Sequence, residues 1–309
     1  MPLPIMTRAQ SPLTAVALMV LATVFIAGTT LAAKSLGTDT LGAPLHPLQI
    51  TQGRFVFAFM GLLIAASLLR PKIQGPNLKL HLSRTLCGAT GVTLMFAAVA
   101  FIPLSDATAI SFLNPVFGMI LAIPFLGERV GRWRWLAALI ALAGALVLLR
   151  PGPDTFQIAA LLALGAALAM GFELVFIKKL ADREPPMQIL LINNLIGCIL
   201  LSVAVIPYWA VPTASQWIVL AALGLMMAAA QTCFINAMAR ADASYVTPFS
   251  YLTLIFASLY DWAIFKEIPD GISILGAVII VSGAALLAWR EAVNRSRLRR
   301  VPTSLGGRA

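Results

Sequence analysis

Ser105-Asp106-Ala107-Thr108-Ala109-Ile110-Ser111-Phe112-Leu113-Asn114-Pro115 opens a stretch that returns 139 residues later. Its second copy begins Ser244-Tyr245-Val246-Thr247-Pro248-Phe249-Ser250-Tyr251-Leu252-Thr253-Leu254. The correspondence runs on without a gap through Phe117/Phe256, Glu128/Glu267, Leu136/Leu275, Ala138/Ala277, Ile140/Ile279, Gly144/Gly283, Ala145/Ala284 and Leu148/Leu287. Twelve identities in 44 positions exceed what a common Ala- and Leu-rich composition supplies. The chain reads as two related halves.

Composition says where those halves sit. Of 309 residues, 60% are hydrophobic and 11% charged, with a mean hydropathy of +0.92. An average soluble chain carries about 25% charge. A chain of this length cannot hide so much apolar surface in a water-soluble fold. That excludes a soluble enzyme, a disordered protein, and nucleic-acid binding as the main role. A helix needs about 20 mainly apolar residues to cross hydrocarbon. Ten such spans are expected, at about 13–35, 48–69, 82–102, 104–126, 132–150, 155–177, 188–208, 215–238, 243–265 and 271–289. Pro207-Tyr208-Trp209 and Pro212-Thr213-Ala214-Ser215 divide the charge-free run from Pro185 to Ala239 into two of them. Arg8 and the apolar run ending Leu31-Ala32-Ala33 imitate a signal peptide. The run is longer than an h-region of about 7–15 residues, so it is read as a helix.

Basic residues set the orientation. With the N-terminus in the cytoplasm, 18 Lys and Arg fall in inside segments; only Lys34, Arg150 and Lys266 fall outside, and Arg54 lies within a span. This asymmetry follows the positive-inside rule and implies a multi-pass protein of the cell inner membrane with both termini cytoplasmic. The tail 290–309, rich in Arg, suits the anionic leaflet. Cys87, Cys198 and Cys233 lie in apolar runs without metal-ligand spacing, and His46 and His81 are the only histidines. No disulfide framework, metal site or cofactor is expected.

The repeat offset spans five helices, and five is odd, so equivalent helices must cross the bilayer in opposite directions. The expected fold is therefore an all-α integral membrane protein of ten transmembrane helices in two inverted five-helix repeats. The first is 13–150 and the second 155–289. Such pseudo-symmetry builds a site near the midplane that opens to either side, which points to a transporter.

The stretch Phe101-Ile102-Pro103-Leu104-Ser105-Asp106-Ala107-Thr108, then Leu113-Asn114-Pro115 and Phe125-Leu126-Gly127-Glu128-Arg129, resembles the first-repeat signature of EamA-type members of the drug/metabolite transporter superfamily. Ala239-Arg240-Ala241-Asp242-Ala243-Ser244 through Phe265-Lys266-Glu267 resembles their second repeat. The resemblance covers residues 13–290 and implies a ten-helix bundle that moves small organic solutes without ATP. Leu254 departs from the family where the equivalent of Pro115 is often found, and Lys266 replaces a usual glycine. Thr247-Pro248-Phe249-Ser250-Tyr251-Leu252 with Asp261-Trp262 resembles a subgroup that includes riboflavin transporters.

Ionisable groups inside a bilayer are costly and mark candidate sites. Arg54 lies about 9 Å into the second span and Asp261 about 6 Å from the outer end of the ninth, at 1.5 Å per residue. Both fall in the outer half, where they could pair with each other, seat a substrate carboxylate or carry a proton; a purely structural ion pair is the alternative. Glu173, near the inner end of the sixth span, is a proton-carrying candidate, with local pairing to Lys178 or Lys179 as the competing role. The resemblance places the first, third, fourth, eighth and ninth spans around a central cavity. Thr30, Thr93, Ser111, Asn114, Gln231, Asn236, Tyr251 and Tyr260 on those spans are the candidate substrate-binding residues. Hydrogen bonding between helices competes for each of them. Gly144 and Gly283 read as close-packing positions, and Pro103, Pro115, Pro124 and Pro248 as kinks or breaks.

The expected activity is secondary transport of a small organic metabolite, with riboflavin or a similar aromatic vitamin taken up, or amino acids or related metabolites exported. Partners are the solute, the lipid bilayer and a coupling ion for which protons are the candidate. An intramembrane enzyme is a remote alternative, because no histidine lies in a span and no converging acid/base pair is visible. No G-x-x-x-x-G-K-[ST] phosphate loop occurs.

Overall fold

The computed structural model describes residues 12–71, 73, 75–127, 131–149, 158–181, 183–238, 240, 249–250 and 252–299. Its helices are α1 (Pro12–Gly37), α2 (Pro47–Leu69), α3 (Leu78–Val99), α4 (Leu104–Ser111), α5 (Asn114–Leu126), α6 (Arg132–Leu149), α7 (Ile158–Ala181), α8 (Pro186–Ala204), α9 (Ala214–Met238), α10 (Leu252–Tyr260) and α11 (Gly271–Arg299). A π turn, Asp261–Phe265, follows α10. No strand occurs among the described residues. Among the described residues, seven helical stretches are long and apolar enough to cross a membrane, and 135–147, 252–265 and 271–283 are shorter apolar helices. The exterior is apolar: Leu63, Ile64, Leu139, Ile199 and Val278 are exposed, whereas Lys34, Thr51 and Arg54 are buried. That inversion of the soluble pattern suits a hydrocarbon surround.

Local chemistry sets the helix ends. His46 caps α2, its Nδ1 accepting from the Leu48 amide at 3.2 Å, and Pro47 starts the helix without needing a donor. Asn77 caps α3 by accepting from the Leu80 amide at 3.2 Å, so α3 starts four residues before the expected 82. The expected span 104–126 is broken at Phe112–Leu113, and Pro115 begins α5 where its missing N–H costs nothing. Pro103 flanks the start of α4 and Pro124 lies inside α5. The expected span 188–208 stops at Ala204 and continues as the 3-10 turn Ile206–Tyr208. Lys34, expected in an outside loop, is inside α1 and 4% exposed. The last helix runs to Arg299 rather than 289. Most of the approach to α10, including Pro248 and Tyr251, lies outside the described residues, as does Glu128.

Helices of the two halves pack against each other as exchangeable pairs. Contacts join α3 to α7 and α1 to α9, α5 to α7 and α1 to α10, and α6 to α11. At the α6–α11 crossing, glycines bring backbone against backbone. A Cβ added at Gly144 would lie 2.7 Å from the Ile280 amide nitrogen and 2.8 Å from the Gly276 carbonyl oxygen. One added at Gly283 would lie 2.6 Å from the Ala141 nitrogen and 2.8 Å from the Ala137 oxygen. Absence of side chains lets these backbones touch. As residue numbers fall along α6 from 144 to 137, they rise along α11 from 276 to 283, so the two helices run antiparallel.

The bundle has two ends. Gln49 and Gln216 fasten loops at the end where α1 finishes: the Gln49 amide donates to the Ala210 carbonyl at 2.6 Å and Gln216 to that of Ala43 at 2.8 Å. His46 stacks on Tyr208 there, with 4.2 Å between ring centroids. This is the Gly37 end. The opposite end, where α2 stops at Arg70, gathers the start of α3, the end of α7 and the start of α8.

Candidate functional site

Charge inside a helical bundle must find a partner or pay the full desolvation cost. At the Gly37 end, Lys34 comes from the last turns of α1 and Asp261 opens the π turn. Lys34 Nζ lies 3.1 Å from Asp261 Oδ1 and 2.6 Å from Glu267 Oε2, and 4.5 Å from the centroid of the Phe265 ring. The second Asp261 oxygen accepts the Ser105 amide at 3.1 Å, at the start of α4. Lys266, left-handed at φ 58°, turns the chain so that Glu267 returns to this cluster. Beside it Ser273 Oγ donates to Asp106 Oδ2 at 2.9 Å. Both halves contribute: Lys34, Ser105 and Asp106 from the first, Asp261, Glu267 and Ser273 from the second. A cavity of about 220 Å³ above the cluster is lined by Lys34, Thr38, Phe101, Pro103, Phe265 and Glu267.

A second group lies deeper, between the two ends of the bundle. Arg84 of α3 places Nε 3.4 Å from Glu173 Oε1 of α7, and its Nη1 donates to the Ile189 carbonyl at 3.1 Å. One turn along α3, a Cβ at Gly88 would lie 2.8 Å from the Glu173 carboxyl carbon, so glycine makes the room that carboxylate occupies. Arg54 of α2 is within electrostatic reach of both Glu173 and Arg84. It is 6% exposed, and its guanidinium lies 4.8 Å over the Phe55 ring, yet among the described residues no hydrogen bond or ion pair to it occurs. Thr51, one turn from Arg54, meets Thr93 of α3 with 3.1 Å between hydroxyls.

The Arg70 end is closed by Glu184, in the link between α7 and α8. Its carboxylate accepts from the Asn77 amide at 2.9 Å and from Gln188 at 2.7 Å, and lies 2.8 Å from His81 Nε2. Burial pushes the Glu184 carboxyl up, but the Asn77 amide, His81 and Gln188 together outweigh it and hold it below the usual 4.5.

The structure separates the expected residues. Asp261 pairs with Lys34 and not with Arg54, whose charge is instead within electrostatic reach of Glu173 and Arg84. Glu173 meets Arg84 on another helix rather than pairing within its own. Thr30, Ser111 and Asn236 spend their donors on their own helices, bonding Ile26, Thr108 and Thr232 carbonyls at 3.2, 2.7 and 2.9 Å. Asn236 also accepts from Arg240 at 2.8 Å. Thr93 ties α3 to α2. Among the described residues, Gln231 keeps a buried Oε1 without a donor, as Thr108 Oγ1 and Ser105 Oγ lack partners. Asn114 and Tyr260 are half-buried, and Tyr251 lies outside the described residues. Sequence reasoning missed Lys34 and Arg84 because both stand near span ends and were assigned to the flanking loops.

Residues 13–150 and 157–289 match the model of the EamA-like transporter family. The riboflavin transporter of Vibrio cholerae is 31% identical over 75% of this chain and 79% of its own. The riboflavin transporter of Rhizobium johnstonii is 37% identical over 70% and 72%. The S-adenosylmethionine uptake transporter of Rickettsia bellii is 27% identical over 81% and 87%. All three relatives are transporters, not enzymes.

Proposed function

This chain belongs to the EamA-like transporter family, and we propose that it is a secondary transporter working by alternating access. It has ten transmembrane helices in two inverted five-helix units, 13–150 and 155–289, and a basic cytoplasmic tail, 290–309. It sits in a bacterial inner membrane with both termini in the cytoplasm, so the Gly37 end faces outward and the Arg70 end inward.

The observation that carries this reading is the α6–α11 crossing. Helices equivalent by the repeat offset run antiparallel there, and each glycine faces the equivalents of the other's neighbours. An inverted pair has two arrangements of equal standing, one open to each side. The Lys34–Asp261–Glu267–Ser105 cluster acts as the outer gate, since it links the halves and lies below an outer cavity. Arg84–Glu173 links them nearer the inside. Glu173 and Asp261 are the carboxylates available to carry a coupling proton.

The substrate is a small organic metabolite. Uptake of riboflavin or a similar aromatic vitamin is the first reading, supported by the two riboflavin transporters among the relatives. Export of an amino acid or related metabolite is the second, and the unpartnered Arg54 favours it. In proteoliposomes, riboflavin should accumulate faster under an imposed pH gradient on the first reading. Faster efflux of a preloaded amino acid, with riboflavin uptake at the rate of empty liposomes, would establish the second. Neither flux above empty liposomes would refute transport of both classes.

A further inference from the structure

Arg54 is the anomaly of the interior. Burying an ionised group without partners costs several kcal/mol in general, and Arg84 beside it shows how such a cost is offset: a carboxylate and a carbonyl hold it. Arg54 has the same chemistry and the same depth of burial, with neither. Its five N–H donors form a fork whose natural complement is a carboxylate taken by two parallel hydrogen bonds.

The charge of the neighbourhood narrows the ligand. Arg54 and Arg84 contribute two positive charges and Glu173 one negative, leaving an excess of one. A single carboxylate brings the group to neutrality. A doubly charged phosphate ester would overshoot it and meet Glu173 as a like charge. Arg54 enters the second span near the Gly37 end, about 10 Å below the first residue of α2 at 1.5 Å per residue. Arg84 stands about 9 Å from the start of α3, at the opposite end of the bundle, by the same rise. The two arginines thus rise from backbone on either side of the middle of the bundle, with their charges within electrostatic reach of each other, where a transported solute must pass.

Building on the transport reading, we propose that Arg54, with Arg84 and Glu173, forms the seat for one carboxylate of the transported metabolite. Arg54 supplies the fork, Arg84 the second positive charge, and Glu173 holds Arg84 in place while the seat is empty. On arrival of the solute its carboxylate takes the free guanidinium, and Glu173 becomes the group that limits affinity by repulsion.

The test is binding, not flux. Purified full-length protein in detergent is titrated with matched probes: nicotinate and nicotinamide, L-phenylalanine and L-phenylalaninamide, L-methionine and L-methioninamide, and riboflavin as the uncharged ring. At least one acid should bind about tenfold or more tightly than its amide, by the strength of charge-assisted pairs. Arg54→Gln should erase that preference while leaving the ligand-free melting temperature unchanged or raised, since it removes a buried unpaired charge. Arg54→Lys should keep part of it, and Glu173→Gln should tighten binding of the acid. Equal binding of acid and amide, unaltered acid binding by Arg54→Gln, or binding of riboflavin with no acid bound would overturn the proposal. Carboxylate binding without flux in liposomes would instead remove the transport reading and leave the seat standing.

Discussion

Gly144 and Gly283 stand at equivalent places in one crossing: shifting either residue and its contacts by 139 positions reproduces the other's, Gly276 and Ile280 against Ala137 and Ala141. An added methyl at either position meets backbone, which cannot swing aside as a side chain can. Gly144→Ala and Gly283→Ala should therefore each destabilise the bundle by about 1–3 kcal/mol, the usual cost of overpacking. Gly165→Ala is the control, because its methyl would meet only the flexible Leu94 side chain at 3.3 Å. Thermal unfolding in detergent reads all three, and equal melting temperatures would show that the crossing is not tight.

The same offset relates Gly127 to Lys266, and both backbones are left-handed, at φ 67° and 58°. Glycine adopts this conformation without cost, whereas a side chain is penalised by about 1 kcal/mol. Lys266→Gly should thus be neutral or stabilising by about that amount, with the lost Lys266–Ala263 hydrogen bond of 3.2 Å working against it. Gly127→Ala should destabilise by about 1 kcal/mol. A fall in melting temperature for Lys266→Gly as large as for Gly127→Ala would contradict the shared turn.

Lys34 neutralises a fully buried aspartate. Lys34→Met should cost about 3 kcal/mol or more, because it strands Asp261. Adding Asp261→Asn should recover much of that loss, since no charge is then left unpaired. Glu267, with 41% of its side chain exposed, contributes far less. A double variant no more stable than Lys34→Met alone would mean that the pair is not coupled.

Glu184 links stability to pH. Its folded carboxyl is held below the ordinary 4.5, so it contributes stability that is fully present above that value. The contribution falls away as pH drops through 4.5 towards the folded value. Wild type should outlast Glu184→Gln in thermal unfolding near neutral pH, and the gap should narrow as the medium is acidified below the ordinary value. A gap independent of pH would show that the carboxylate charge is not what Asn77, His81 and Gln188 hold.

The helical character, the membrane setting and the two-half organisation were legible in the sequence because each depends on pattern alone: apolar run length, basic residues and a repeat offset. The break at Phe112–Leu113 was half-legible, since Pro115 marked it without saying whether the chain bends or stops. The charge pairings were not legible. Arg54 and Asp261 share a depth along their spans, but depth does not give rotation about the helix axis or the identity of neighbouring helices. Rotation brought Lys34 to Asp261, and the α3–α7 contact brought Arg84 to Glu173. Lys34 escaped notice because it stands at the very end of its expected span and counts there as an outer flanking charge.

The claim at the centre is that the Gly37 end must open for the solute to cross. In a cysteine-free background, Lys34→Cys/Glu267→Cys bridged by a short bifunctional methanethiosulfonate tests it most directly in proteoliposomes. Bridging should stop net solute flux, and reductant should restore it to the rate of the unbridged variant. Flux through the bridged protein at the unbridged rate would contradict the claim.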